Sequence, residues 1–272
     1  MTTKVLYHAG CIDGWTAAWA VWLHLGDHDV TYLPVRHGDP PPDVTDQSVL
    51  IVDFSYPRAV LLEMIEKAHN RNVLCLDHHA TAQADLEDIP QAIFDMDRSG
   101  AGLAWDHFQG RHGRPWLIDY VEDRDLWRFR LPDSKAINAW IHAQPRQDFR
   151  AWSQLSDEGP ALAKERGEAV LRYMDSYVEQ VSTLSRRCTF AGHANIPVVN
   201  APFVAISELV GALADGVPFA VGWHQRADGM FVYSLRSRDD FDVAALAKTF
   251  GGGGHRAAAG FVTDYLVHED EP

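Results

Sequence analysis

The stretch Asn72-Val73-Leu74-Cys75-Leu76-Asp77-His78-His79 decides how this chain is read, because an apolar run passes directly into a carboxylate and two imidazoles. A short apolar run of this kind reads as a strand covered on both faces, with its chemistry waiting at the carboxyl end. Two upstream runs end in the same way: Lys4 to His8 delivers His8 and then Asp13, and Val49 to Asp53 delivers Asp53. Ligands of open α/β sheets bind outside the carboxyl ends of the strands, so three such strands bring their His and Asp residues to one place. A single His or Asp there is an ordinary turn former or helix cap. The joint occurrence of His8, Asp13, Asp53, Asp77, His78 and His79 instead spells a metal site, in which Asp53 is the natural bridge between two cations acting on one phosphate ester.

The rest of the first half alternates strands and helices. Helices are expected from about Gly14 to Leu25 and from Arg58 to Asn70, the second with Val60, Leu61, Met64, Ile65 and Ala68 on one face, and further strands at Val30–Val35 and Ala92–Asp95. Ser99 reads as the cap of an apolar helix beginning Gly100-Ala101-Gly102, and Arg111 to Pro115 as a loop. The fold class is therefore α/β, a parallel sheet with helices on both faces. Pro160 to Arg187 reads as a long connecting helix outside either core, striped by Val170, Tyr173, Met174, Tyr177, Val181 and Leu184, and a smaller α+β pattern follows Gly192. The expected domains are residues 1–150, a linker at 151–190, and 191–272.

A balance of 24 Lys+Arg against 38 Asp+Glu leaves a formal net charge of −14, which opposes binding to long nucleic acids and points to small or very short phosphorylated ligands. Cys11, Cys75 and Cys188 form no CxxC pair, which suits a reducing, cytoplasmic setting. No apolar run reaches the roughly 18 residues of a membrane span, and Asp13 interrupts the region where a signal peptide needs its apolar core. The nine tryptophans, Trp15, Trp127 and Trp223 among them, offer core packing, base stacking or the interface of a homo-oligomer.

A second motif, Gly251-Gly252-Gly253-Gly254-His255-Arg256-Ala257-Ala258-Ala259-Gly260, lies near the chain's end. Consecutive glycines can turn backbone N–H groups toward an anion, and the alanines and apolar strand that follow argue for packing rather than a linker. Arg236 and Arg238 end a strand shortly before it and suit bidentate phosphate recognition. Between the two motifs, Ile118-Asp119-Tyr120-Val121-Glu122-Asp123-Arg124-Asp125 offers further carboxylates.

Together these motifs resemble the DHH phosphoesterases, specifically the branch whose C-terminal domain carries Gly-Gly-Gly-His-x-x-Ala-Ala-Gly, matched without a gap by Gly252 to Gly260. The resemblance runs from His8 to Phe261. It implies an active site in the cleft between a catalytic and a substrate-binding domain, and two manganese ions, one on His8 and Asp53, the other on Asp13, Asp53, His78 and Asp123. It further implies that His79 touches the substrate phosphate with Asp77 orienting the histidines, and that Arg236, Gly252, Gly253, Gly254 and His255 hold the far end of the substrate. One departure stands out: Cys11 occupies the position where the family carries the first Asp of its His-x-x-x-Asp-x-Asp motif, and the spacing from His8 is one residue shorter. The expected activity is phosphodiester hydrolysis of short oligonucleotides or linear dinucleotides to mononucleotides. A phosphatase acting on 3′,5′-bisphosphorylated nucleosides and a nucleotide sensor without turnover are the alternatives.

Overall fold

The computed structural model describes residues 2–110, 113–238 and 240–270 and divides into two compact units, residues 1–171 and 172–272. The first unit begins β1 (Thr3–His8), α1 (Ile12–Leu25), β2 (Val30–Val35), β3 (Ser48–Val52), α2 (Arg58–Lys67), β4 (Val73–Asp77), α3 (Ala80–Leu86) and β5 (Ala92–Phe94). Four helices follow, α4 (Gly100–Gln109), α5 (Trp116–Asp125), α6 (Ser134–Ala143) and α7 (Phe149–Glu158), and then α8 (Pro160–Ser182).

The five strands pair in the order β2-β1-β3-β4-β5, all parallel, with Thr3 of β1 opposite both Val30 and Ser48. After β1 the chain adds β2 on one side and then returns to lay β3 on the other. The strand order therefore reverses between β1 and β3, which is where an open sheet of this kind leaves a crevice. Alternation along the strands serves two cores. Val5, Tyr7, Val52 and Leu76 pack with α1, α4, α5, α6 and α7, whereas Leu6, Ile51, Val73 and Cys75 pack with α2 and α3. Because α1 buries every residue from Ile12 to Val21, its apolar character runs all round, as a helix enclosed by its neighbours requires.

Helix α1 starts at Ile12, two residues before the expected Gly14, so Asp13 lies in its first turn, where a carboxylate is favoured by the helix dipole. Helix α2 stops at Lys67 rather than Asn70, because Ala68 turns extended (φ −67°, ψ 150°), and Asn70 and Arg71 then take left-handed backbone angles (φ 49° and 57°). Of the expected loop Arg111 to Pro115, Arg111 and His112 lie outside the described residues, and Gly113–Pro115 are non-helical.

Helix α8 ends at Ser182, and it does not stand apart from the cores as its charge suggested. Ala163 is buried in the first unit, while Val178 and Val181 pack against Val199, Ala201 and Leu209 of the second. The second unit contains β6 (Arg186–Phe190), β7 (His193–Asn200), α9 (Ile206–Leu213), β8 (Ala220–Gln225), β9 (Phe231–Arg236), α10 (Val243–Lys248), β10 (Gly253–His255), β11 (Ala258–Thr263) and β12 (His268–Asp270). Its strands are ordered β10-β11-β9-β8-β7-β6-β12, with β7 and β8 parallel and the other pairs antiparallel. Strand β6 falls partly in the segment read as helix. Its pattern has period 2, with Cys188 and Phe190 buried, and pairing with β7 outweighs the local helical composition. No described helix is long and apolar enough to cross a membrane.

Candidate metal centre

The site grows from three strand ends and one helix start. His8 closes β1, and Gly14 lets α1 pass close beneath it, since a Cβ there would press on the His8 carbonyl and come within 2.9 Å of His8 Cβ. One residue past β3, Asp53 adopts a left-handed backbone (φ 54°) while its N–H donates to the Leu76 carbonyl at 2.9 Å. That conformation is costly for most L-residues and tolerated by Asp, and here it turns the carboxylate across the sheet edge instead of along the strand. Strand β4 ends on Asp77 and passes into His78 and His79.

One nitrogen organises the centre. His78 Nε2 lies 3.1 Å from Asp53 Oδ1 and 3.6 Å from both Asp13 Oδ2 and Asp125 Oδ2. Burial by itself would lower the His78 pKa, but the hydrogen bond to Asp53 and the charges of Asp125, Asp53 and Asp13 raise it to about 11. Burial also works against the Asp53 carboxylate, yet the hydrogen bond from His78 and the imidazole of His8 beside it carry its pKa well below the ordinary range. Asp13, buried and crowded by Asp125 and Asp53, is pushed well up, and burial raises Asp125 as well. Asp13 gains some relief from the start of α4, where Gly100 N–H donates to Oδ2 at 2.5 Å and Ala101 N–H to Oδ1 at 3.0 Å.

Asp77 is fully buried and works through its neighbours. Its Oδ1 accepts the His78 N–H at 2.7 Å and lies 2.7 Å from His79 Nδ1, while its Oδ2 accepts the Ser55 hydroxyl at 2.6 Å. Burial opposes its ionisation, but the His79 charge and these hydrogen bonds lower its pKa. In return Asp77 raises His79 above its ordinary value against the cost of burial. His37 also belongs to this face, with ring centroids 5.4 Å from His8 and 6.3 Å from His79. Burial, then the charges of His8 and His79, lower its pKa to about 4, so it is neutral near pH 7. His37 was not singled out from the sequence, although it follows the end of β2 and the same strand-end rule points to it.

The fourth acidic residue differs from the expected Asp123. The Asp123 oxygens are occupied in shaping the turn after α5: Oδ1 accepts Arg130 N–H at 2.8 Å, and Oδ2 accepts Leu131 N–H at 3.3 Å and the Ser134 hydroxyl at 2.6 Å. Asp125, not Asp123, faces His78, with its Oδ2 3.6 Å from Nε2. Helical spacing would have found it, since Leu117, Ile118 and Val121 face the core and Asp125 follows Val121 by four residues. Glu122 shares that face but is held by Arg114 at 3.3 Å and by the Ser99 N–H at 3.2 Å.

Within the first unit, the clusters His8–Cys11–Asp53, Asp13–Asp53–His78 and Asp53–Asp77–His79 each have ligand atoms within 4.8 Å of one another. Asp53 is common to all three. Its Oδ2, like Asp125 Oδ2, is buried and accepts no hydrogen bond among the described residues. Buried carboxylate oxygens with only an imidazole at 3.5–3.6 Å, crowded by other carboxylates, are a donor set that fits divalent cations. Cys11 sits at the edge of this set, and burial followed by the charges of Asp53, Asp125 and Asp13 pushes its thiol pKa well up.

These shifts set how stability depends on pH. The raised His78 stabilises the fold fully below its unfolded value near 6.5, and that contribution is lost as pH rises toward about 11. The raised Asp13 and Asp125 act in the same direction, losing stability as they ionise. The lowered Asp53 and Asp77 contribute above the ordinary carboxylate range and lose their contribution only in acid. Calorimetry in chelator should therefore show the melting temperature of the first unit falling as pH rises from about 6.5 toward about 11. A divalent ion at a hundred times its Kd adds about 2.7 kcal/mol. That corresponds to roughly 5–10 °C for a unit of this size. A melting temperature indifferent to both chelator and pH would contradict the cation reading.

In the second unit the glycine-rich motif is built into the sheet. Gly253, Gly254 and His255 form β10 opposite Gly260, Ala259 and Ala258. Gly252 N–H is committed to the Ala247 carbonyl at 2.9 Å, closing α10, so it is not turned toward an anion as expected. Gly254 has φ 138°, and a Cβ there would lie 2.5 Å from the Ala258 carbonyl, so the strand crossing needs glycine. Arg236, at the end of β9, donates to the Ser207 hydroxyl at 2.7 Å, and Arg238 donates to the Gly211 carbonyl at 2.7 Å.

No family model matches the chain. An uncharacterized protein of Acanthamoeba polyphaga mimivirus is 28% identical over 288 residues, covering 94% of this chain, which spans 66% of that relative's length. Among solved structures, the DHH domain of a protein described as a member of a family of ribosomal proteins aligns with TM-score 0.56 at 14% identity, covering 96% of this chain and 82% of its own. Exonuclease RecJ bound to manganese aligns at 0.54 and 16% identity over 97% of this chain and 86% of that one. The pGpG-specific phosphodiesterase PggH from Vibrio cholerae aligns at 0.51 and 17% identity over 96% and 93%. The chain shares the fold of these DHH-domain, RecJ and PggH structures.

Proposed function

We propose that this protein is a metal-dependent phosphodiesterase that cleaves short oligonucleotides or linear dinucleotides to mononucleotides. The observation that carries this reading is the single His78 nitrogen facing the oxygens of Asp13, Asp53 and Asp125 at the reversal point of the sheet. The nuclease and dinucleotide phosphodiesterase named above, which share the fold, support it.

His8, Asp13, Asp53, His78 and Asp125 are the residues that would hold divalent cations. When bound, such ions polarise a phosphoryl oxygen and lower the pKa of water. The chain's own residues do the rest. Asp77 locks the tautomer and orientation of His79 and raises its pKa above the ordinary imidazole value, which favours its cationic form for contact with an anionic phosphate. His37 stays neutral and adds no further positive charge beside His8 and His79. In the second unit, Arg236, Gly253, Gly254 and His255 are the proposed substrate contacts. A formal net charge of −14 supports a short substrate over a long polyanion.

The test is to strip the protein of metal, restore manganese, and follow end-labelled RNAs of two to about twenty nucleotides beside a 3′,5′-bisphosphorylated nucleoside. Mononucleotide release concentrated on the shortest RNAs is expected. Phosphate release from the bisphosphate alone would move the assignment to a phosphatase, and cleavage favouring the longest strands would overturn the length limit. His255→Ala is expected to raise KM on a dinucleotide roughly 10–100-fold with little change in kcat, as loss of a charged hydrogen bond to bound substrate does. Metal content should be unchanged in this variant, and its loss would assign His255 to the metal instead.

A further inference from the structure

We propose that Cys11 is a metal ligand, so that His8, Cys11 and Asp53 form a nitrogen–sulfur–oxygen position that selects a borderline or soft divalent ion, zinc or cobalt, over manganese. The inference rests on the reading of the pocket as a metal centre and assigns the chemistry of one of its positions.

Three observations meet here. The ligand atoms of His8, Cys11 and Asp53 lie within 4.8 Å of one another, brought together by the tight turn at Gly10 (φ 76°) between β1 and α1. Asp53 is 1% exposed, and its Oδ2, paired only with His8 Nδ1 at 3.5 Å among the described residues, directs a buried anionic atom into the cluster. Cys11 holds the N-cap position of α1, with its sulfur beside the Gly14 N–H. Its extended backbone (φ −99°, ψ 142°) is that of a cap, but Ser, Thr, Asp or Asn is the residue type suited to capping. A thiol is a weak acceptor for the Gly14 N–H, so capping alone does not account for a cysteine at this position.

The other two cysteines are accounted for differently. Cys75 is fully buried in β4 beside the Ser55 hydroxyl and the Phe54 carbonyl, and Cys188 is buried in the core of the second unit.

The two ends of Asp53 therefore meet different chemistry. On one side Asp13, Asp125 and His78 make an oxygen-rich position suited to a hard ion. On the other, one imidazole, one sulfur and one carboxylate supply three protein ligands, the number that catalytic zinc sites use while keeping a fourth position open. Manganese and magnesium favour oxygen, whereas thiolate favours zinc and cobalt. Coordination breaks the Sγ–H bond, forms the sulfur–metal bond and releases one proton to solvent. The pocket then holds a hard and a soft position that share Asp53.

Cobalt(II) added to the metal-free protein tests this. A sulfur-to-cobalt charge-transfer band in the near ultraviolet is expected, retained in Cys75→Ser and Cys188→Ser and lost in Cys11→Ser while visible ligand-field absorption persists. X-ray absorption of the zinc-loaded wild type should show one sulfur neighbour at about 2.3 Å, a result that requires no variant to fold. Cys11→Asp should lower the preference for zinc over manganese by roughly tenfold or more in equilibrium competition. Cobalt bound with ligand-field bands but no sulfur band, or zinc surrounded by nitrogen and oxygen alone, would overturn the thiolate ligand and leave the metal centre standing. Failure to bind either ion would overturn the metal centre along with it.

Discussion

Asp53→Asn is expected to leave the first unit folded while turnover falls by at least about a thousandfold, and Asp53→Ala to lose both turnover and stability. The two substitutions separate charge from backbone. Asp53 has φ 54°, a left-handed conformation that Asn accepts, whereas Ala incurs about 1–2 kcal/mol. Asn also removes one of the three carboxylates that repel one another around His78, which offsets part of the lost ion pairs with His78 and His8. Neither variant supplies the anionic oxygen common to the three ligand clusters. If the ions provide several kcal/mol of transition-state stabilisation, as phosphoester hydrolysis by metal sites requires, losing the shared ligand costs three orders of magnitude in rate. Thermal melts, metal content and steady-state rates on a dinucleotide should be measured together. An Asn variant with near-normal turnover would remove Asp53 from its bridging place.

Gly100→Ala is expected to reduce turnover roughly a hundredfold even though residue 100 bears no functional group. A Cβ at that position would press on Asp53 Cβ and lie 2.8 Å from both Cγ and Oδ1. The strand side cannot yield easily, because Asp53 N–H is bonded to Leu76, and the helix side carries the N–H groups that hold Asp13. Both carboxylates must shift, and a displacement of about 1 Å at reacting groups is enough for a loss of this size. Overpacking should also cost roughly 1–3 kcal/mol.

Gly102→Ala serves as the comparison. Its Cβ would meet the Glu122 carboxylate and lie 2.9 Å from Arg114 Nη2, groups that belong to an ion pair outside the metal residues. A similar loss of stability with a much smaller loss of turnover is expected there. Equal losses of turnover in the two variants would mean that Gly100 matters for the helix and not for Asp53.

Strand ends were legible because they are local. His8, Asp53 and the Asp77-His78-His79 run follow apolar stretches short enough to be strands, and the parallel sheet follows from strands alternating with helices. Local pattern was also enough for the Ser99 cap, whose hydroxyl accepts Gly102 N–H at 3.2 Å. It failed where two nearby residues of one type compete. Asp123 and Asp125 both follow an apolar run, and the choice between them depends on whether the Arg130–Ser134 segment folds back to occupy Asp123. Strand β6 was hidden for a related reason, since its pairing with β7 depends on a partner strand and not on its own charged composition.

The order of residue types is enough to specify a parallel sheet with His and Asp at adjoining strand ends, because periodicity and strand termination act over a few residues. The packed fold, in contrast, sets which oxygens remain without a donor, why residue 100 must be glycine, and which atoms surround Cys11. Those properties arise where β1, β3, β4, α4 and α5 meet. Burial there makes each missing hydrogen bond and each close contact costly, and residues far apart in the chain, such as Asp13 and Gly100 or His78 and Asp125, come within a few ångströms only after it has folded.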